Sequence, residues 1–310
     1  MIEGIVIKST GSWYDVFTAD GRTVRCRLRG QLRLKGLRTT NPVAVGDKVA
    51  IVFEEGRNTA LITGIADRHN FIIRKATNLS KASHIIAANL EQALLVATLV
   101  LPRTSTGFID RFLVTAEAYH IPAVIAFNKL DIYDADELAQ LDAIENVYCK
   151  AGYKVLRVSA LTGKGIQSLA DLLHNKTTLV SGHSGVGKSA LVNAIEPGLK
   201  LRIGEISEAH YKGKHTTTFA EMFRLSAGGW IVDTPGIKEF GLHDFEFETL
   251  SHRFPEMRAL LQNCRFANCT HQHEPGCAVK SAVDDGLIAR SRYSNYLNML
   301  HNDFNNDNEP

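Results

Sequence analysis

From residue 1 to about residue 70, apolar positions recur at every second residue, the period of a half-buried strand. Residues 13–17 and 23–28 flank Ala19-Asp20-Gly21-Arg22, whose Asp-Gly pair marks a hairpin turn. In the second of these strands Val24, Cys26 and Leu28 point one way and Arg25, Arg27 and Arg29 the other. Further strands read over 48–53 and 60–65, with turns at Gly46-Asp47 and Glu55-Gly56. Several short strands with no helical period predict a small OB-type β-barrel over residues 1–70. Its arginine face suits nucleic-acid phosphates, and it fits an ordinary solvated strand face equally well.

From residue 76 the pattern changes. Short apolar runs at 93–99, 123–127, 153–158, 178–181 and 230–233 read as buried parallel strands. Helical stretches at 108–120, 136–151, 166–174 and 188–195 lie between them. This alternation predicts a doubly wound α/β domain over 76–241. Residues 242–310 turn helical and Cys/His-rich, with no further strand signal. The segment from residue 302 is acidic and Asn-rich, and reads as disordered.

Composition adds bounds. The 310 residues are 45% hydrophobic and 22% charged, which indicates a soluble globular chain of two or three domains. A net charge of +2 does not by itself point to nucleic acid, but residues 1–75 hold 13 Lys/Arg against seven Asp/Glu. No apolar run reaches membrane-spanning length, and the N-terminus lacks the basic-then-apolar layout of a signal peptide. The expectation is a cytoplasmic protein with no membrane partner, and nothing requires more than a monomer. Disulfides are not expected there.

Chemistry enters with Gly182-His183-Ser184-Gly185-Val186-Gly187-Lys188-Ser189, a complete GxxxxGK[ST] phosphate loop between an apolar strand and an apolar helix beginning near Ala190. Its glycines let main-chain N–H groups turn onto a β-phosphate. Lys188 would bridge the β- and γ-phosphates, and Ser189 would ligate Mg²⁺. Asp233-Thr234-Pro235-Gly236 ends the strand at 230–233 and fits the second metal-side motif. Asp233 would hold Mg²⁺ through water and the Gly236 N–H would reach the γ-phosphate. Between the two motifs lies Gly213-Lys214-His215-Thr216-Thr217-Thr218, where a switch I loop belongs; which threonine completes the Mg²⁺ shell is left open. Ile237 follows the Asp-Thr-Pro-Gly motif and cannot orient water as glutamine would, so intrinsic hydrolysis should be slow. His215 is the local candidate for positioning water, a loop residue in solvent being the other reading.

Guanine-reading residues come first in the chain, not last. Asn128-Lys129-Leu130-Asp131 follows the strand at 123–127, and the Asp131 carboxylate can accept from guanine N1–H and the 2-amino group. Ser159-Ala160-Leu161 follows another strand and would back the base with a main-chain amide. An ordinary GTPase carries these motifs after its phosphate loop, so the domain reads as circularly permuted, with 174–177 joining the usual last helix to the usual first strand. Farther on, Cys264-x4-Cys269-x-His271-x5-Cys277 offers three thiolates and an imidazole, a closed structural Zn²⁺ site. His273 competes as a ligand.

This set and order of motifs closely resembles one family, the circularly permuted small-subunit-dependent ribosomal GTPases called RsgA or YjeQ/YloQ. The resemblance implies hydrolysis of GTP to GDP stimulated by the small ribosomal subunit, a role in its late maturation, and rRNA contact through the barrel and zinc domains. It also implies a catalytic role for His215. Arg25, Arg27, Arg29, Arg33, Lys35 and Arg38 would supply phosphate contacts. Switch II directly precedes the zinc domain, so γ-phosphate loss could move that domain. The alternative is a nucleotide-gated RNA-binding module with incidental turnover; an ATP-dependent kinase is opposed by the NKxD.

Overall fold

The computed structural model describes residues 2–30, 42–74, 84–199, 220–233 and 247–301. The threonine run, His215, Gly236, the cations Arg33, Lys35 and Arg38, and the acidic tail lie outside these ranges.

The first unit is a five-stranded barrel. Strands β1 (Ile2–Ser9), β2 (Tyr14–Thr18), β3 (Thr23–Leu28), β4 (Lys48–Phe53) and β5 (Thr59–Ile65) run in the order β1-β2-β3-β5-β4, and a β1–β4 pairing closes the ring. Closure removes the exposed sheet edges. The alternation read in β3 holds: Val24 and Cys26 are buried, whereas Arg25 and Arg29 are exposed. Val6, Val16, Cys26, Ile51 and Ile62 fill the interior. Outside it, the Arg25 and Arg27 guanidiniums lie 4.9 and 5.4 Å from the Trp13 ring centre.

A hairpin of β6 (Phe71–Arg74) and β7 (His84–Ala88) leads into the α/β unit. There follow β8 (Gln92–Ala97), α1 (Thr106–Ala118), β9 (Ala123–Phe127), α2 (Ala135–Lys150), β10 (Lys154–Arg157), α3 (Ile166–Leu173), β11 (Thr177–Ser181), α4 (Lys188–Ile195), β12 (Glu221–Arg224) and β13 (Trp230–Asp233). The order β10-β9-β8-β11-β13-β12 is parallel except for β12, which pairs antiparallel to β13. Being covered on both faces, the sheet buries consecutive residues. Leu95 packs on one side with Ile109, Phe112 and Leu179, while Leu94 and Val96 pack on the other with Leu169, Leu191 and Ile231. β12 escaped the sequence reading because Glu221–Arg224 carries neither an apolar run nor a clean alternation. Through it the sheet joins the barrel: Lys8 of β1 registers with Glu221, and their side chains pair at 3.0 Å.

The helices obey local rules. Ser105 caps α1 by accepting from the Phe108 N–H at 3.1 Å. Asp134 and Glu137 form a reciprocal capping box on α2.

After residue 246 come a 3-10 turn at Phe247–Arg253 and helices α5 (Pro255–Arg258), α6 (Ala278–Asp284) and α7 (Arg290–Leu300). They have an apolar core of their own, including Phe254, Met257, Val279 and Tyr296, which also takes in Val114 of α1. Arg292 is 1% exposed and donates to Asp110 at 2.7 Å and to Glu256 at 2.7 and 3.0 Å. Asn295 gives Asp110 a further donor at 2.6 Å. Burial pushes the Asp110 carboxyl up, and the neighbouring guanidinium opposes that push. Among the described residues, this region thus docks on α1. The sequence reading had looked for its coupling through switch II, which lies outside the described residues.

Candidate nucleotide site and metal centre

The nucleotide motifs follow the carboxyl ends of β9, β10, β11 and β13, on either side of β8, where ligands bind in open α/β sheets. β11 delivers the phosphate loop and α4 begins at Lys188. Two glycines are required by geometry. Gly182 has φ 141°, and a Cβ there would lie 2.2 Å from the Val96 carbonyl. Gly187 has φ 94°, and a Cβ there would lie 2.4 Å from Asn128 Nδ2. Any larger residue at 187 would expel the asparagine that ties the two loops together.

Asn128 is that tie. It is 2% exposed; its Nδ2 donates to the Val186 carbonyl at 2.8 Å, and its Oδ1 accepts from the Ala160 N–H at 3.2 Å. One side chain therefore bridges the guanine loop, its backing segment and the phosphate loop. Tyr133 holds it from behind, donating to the Asn128 carbonyl at 2.7 Å while accepting from the Leu99 N–H at 2.8 Å. Sequence reasoning missed Tyr133, since nothing in a turn before α2 signals where its hydroxyl goes.

Asp131 is exposed, and its carboxylate accepts from the Ser159 hydroxyl. Ser159 Oγ also accepts from the Thr162 N–H at 3.1 Å, and the Ser159 N–H is committed to the Lys164 carbonyl at 2.9 Å. Lys129 sits at φ 65° with its ammonium on the Leu101 carbonyl. These bonds fix Asp131 against Ser159 and Lys129 against Leu101.

On the phosphate side, Lys188 is 7% exposed and its ammonium donates to the carbonyls of Gly182 and His183 at 2.7 and 2.8 Å. Burial lowers its pKa to about 8, against the opposing pull of Asp233 at the end of β13. Ser189, 6% exposed, occupies the first turn of α4 beside it, followed by Ala190. Ser184 and Gly185 are exposed, and Val186 is buried. The His183 ring stacks on Phe108 of α1 with centroids 3.9 Å apart, a contact the sequence did not signal. A hydroxyl and a carboxylate flanking a buried ammonium form a donor set that fits Mg²⁺.

The cysteine cluster closes in the same way. The ligand atoms of Cys264, Cys269, His271 and Cys277 all lie within 4.8 Å of one another. His271 Nδ1 is 3.3 Å from Cys277 Sγ and 3.7 Å from Cys264 Sγ, so Nδ1 is the nitrogen facing the sulfurs. His273 does not join the group; its N–H donates to Glu274. Burial, reinforced by the neighbouring thiols, pushes the Cys269 thiol up. A cation would reverse that by stabilising thiolates, and three sulfurs with one imidazole fit zinc.

Comparison with known proteins agrees with this geometry. A family model described as the RsgA GTPase matches residues 65–243, and another, the RsgA N-terminal domain, matches residues 3–62. A Bacteroides thetaiotaomicron protein named small ribosomal subunit biogenesis GTPase RsgA 2 is 56% identical over 299 residues, covering 96% of both chains. A Christiangramia forsetii protein named small ribosomal subunit biogenesis GTPase RsgA is 50% identical over 307 residues, covering 98% of both. The crystal structure of YjeQ from Thermotoga maritima has a TM-score of 0.80 at 38% identity, covering 97% of this chain and 98% of that one. That of YloQ, described as a circularly permuted GTPase, has a TM-score of 0.75 at 33% identity, covering 100% and 97%.

Proposed function

The chain belongs to the RsgA GTPase family, and from that premise we propose that it hydrolyses GTP during late maturation of the small ribosomal subunit, stimulated by the subunit and bound to its rRNA. The observation that carries this reading is the Asn128 bridge, which locks a guanine loop onto a phosphate loop in permuted order.

The residues divide the work. Asp131 selects guanine by accepting from N1–H and the 2-amino group, oriented by the Ser159 hydroxyl. Asn128 and Lys129 frame the base, and the Ala160 N–H would turn from Asn128 Oδ1 to back it. Main-chain N–H groups from Gly182 to Ser189 cradle the phosphates. The Lys188 ammonium turns from the carbonyls of Gly182 and His183 onto the β- and γ-phosphates. Mg²⁺, when bound, neutralises charge developing on those phosphates; Ser189, Asp233 and one of Thr216, Thr217 and Thr218 would hold it. The Gly236 N–H meets the γ-phosphate and His215 orients the attacking water. Zinc held by Cys264, Cys269, His271 and Cys277 fixes the C-terminal fold and takes no part in the chemistry.

For the RNA, Trp13 with Arg25 and Arg27 supports a barrel contact that combines an aromatic face with phosphate-seeking charge. The protein acts in the cytoplasm as a monomer, and among the described residues no helix is long and apolar enough to cross a membrane.

The deciding measurement is GTP turnover with and without purified small subunits. Stimulation of at least tenfold is expected. An unchanged rate would leave the alternative, an RNA-binding module gated by nucleotide whose turnover is incidental.

A further inference from the structure

Between the barrel and the β12–β13 hairpin lies an open cleft of about 740 Å³, within the range of small-molecule sites and at a junction of units, where such sites concentrate. None of the nucleotide-site residues lines it. Register places Arg224 opposite Trp230 at one end of the β12–β13 pair and Glu221 opposite Asp233 at the other.

The lining has a definite chemistry. Phe17 and Trp230, both half-buried, meet edge to face with centroids 5.2 Å apart. The exposed Arg224 guanidinium lies 5.0 Å from the Phe17 ring centre. Lys48 adds a second exposed cation, against one acid, Glu3. Gly64 lines the barrel wall although the fold does not demand glycine there. Its φ lies outside the left-handed region, and a Cβ would meet only Ala50 Cβ, at 3.8 Å. A bare strand at that point keeps the cleft open without serving the barrel.

We propose that this cleft is a second ligand site, taking a nucleoside monophosphate unit whose base packs on Phe17 and Trp230 and whose phosphate meets Arg224 and Lys48. Aromatic rings accept any base face, the planar guanidinium fork pairs with phosphate oxygens, and a surplus of cations selects phosphate. The unit could come as free nucleotide or as an unstacked residue of single-stranded RNA.

The chain has two tryptophans, so Trp13→Phe leaves Trp230 as the sole indole. This variant, saturated with GDP and Mg²⁺ to fill the phosphate loop, is titrated with adenosine 5′-monophosphate and separately with a short oligoadenylate. Saturable quenching of Trp230 emission is expected. Adding Arg224→Ala should weaken binding about tenfold, and adding Gly64→Leu should abolish it while GDP binding persists. Quenching by the monophosphate alone identifies free nucleotide as the guest, and quenching by the oligonucleotide alone identifies RNA. Emission unmoved by both probes, or the same curve after either added substitution, overturns the proposal. Because GTP turnover is not read, this outcome is independent of the assembly-factor reading.

Discussion

Lys188 illustrates how burial decides chemistry at a single residue. With its pKa near 8 it is only partly charged at mildly alkaline pH, yet phosphate binding favours the protonated form. A lowered lysine pKa means the charge is lost as pH rises through 8, so GDP affinity should fall between pH 7 and 9.5 in a fluorescent-nucleotide titration. A flat profile would contradict this. Lys188→Ala should remove phosphate binding outright. Asn128→Ala strips two loops of a shared partner and leaves the Val186 carbonyl and Ala160 N–H unpaired. At about 1–3 kcal/mol for such a loss, guanine-nucleotide affinity should drop by roughly ten- to a hundredfold. Asp131→Asn should erode selectivity for guanosine over inosine and adenosine diphosphates in competition, because an amide cannot accept at both positions.

At the scale of elements, α1 takes on more than a connecting role. Its first turn sets Phe108 against His183 of the phosphate loop, its middle buries Asp110 against Arg292, and Glu117 near its end pairs with Arg258 at 2.9 Å. Removing one partner of a buried pair leaves an uncompensated charge, a cost of about 3–5 kcal/mol. Arg292→Met should therefore lower the urea midpoint sharply, and Arg292→Met with Asp110→Asn should cost less than the two single changes summed. Additive losses would show that the pair does not couple. Helices of the α/β unit were legible as stretches between apolar strand runs, and the reading at 136–151 matches α2 to within a residue. The α1–α7 contact was not, since residues 110 and 292 are distant in the chain and neither carries a local signal of burial.

At the scale of the whole molecule, the described residues form four apolar cores, two of them on opposite faces of the parallel sheet, and a continuous sheet runs from the parallel strands through β12 into the barrel. The C-terminal unit combines its apolar core with the metal cluster. Chelation should loosen residues 247–301 in hydrogen exchange while GDP binding persists, and metal analysis should give one zinc per chain. Protection unchanged after zinc loss would mean that the apolar core alone suffices. What the sequence determined by itself was whatever depends on neighbours in the chain: strand alternation, the GxxxxGK[ST] loop, the NKxD and the Cys/His spacing, each a local stereochemical requirement. The order of these motifs was enough to signal permutation. Tertiary structure alone decided the rest. It brought Asn128 onto Val186, turned the Tyr133 hydroxyl beneath them, stacked Phe108 on His183, buried Arg292, and opened a cleft at Phe17 and Trp230. Those relations join residues far apart in the chain, and their energies come from desolvation and close approach, which exist only once the sheet has brought the segments together.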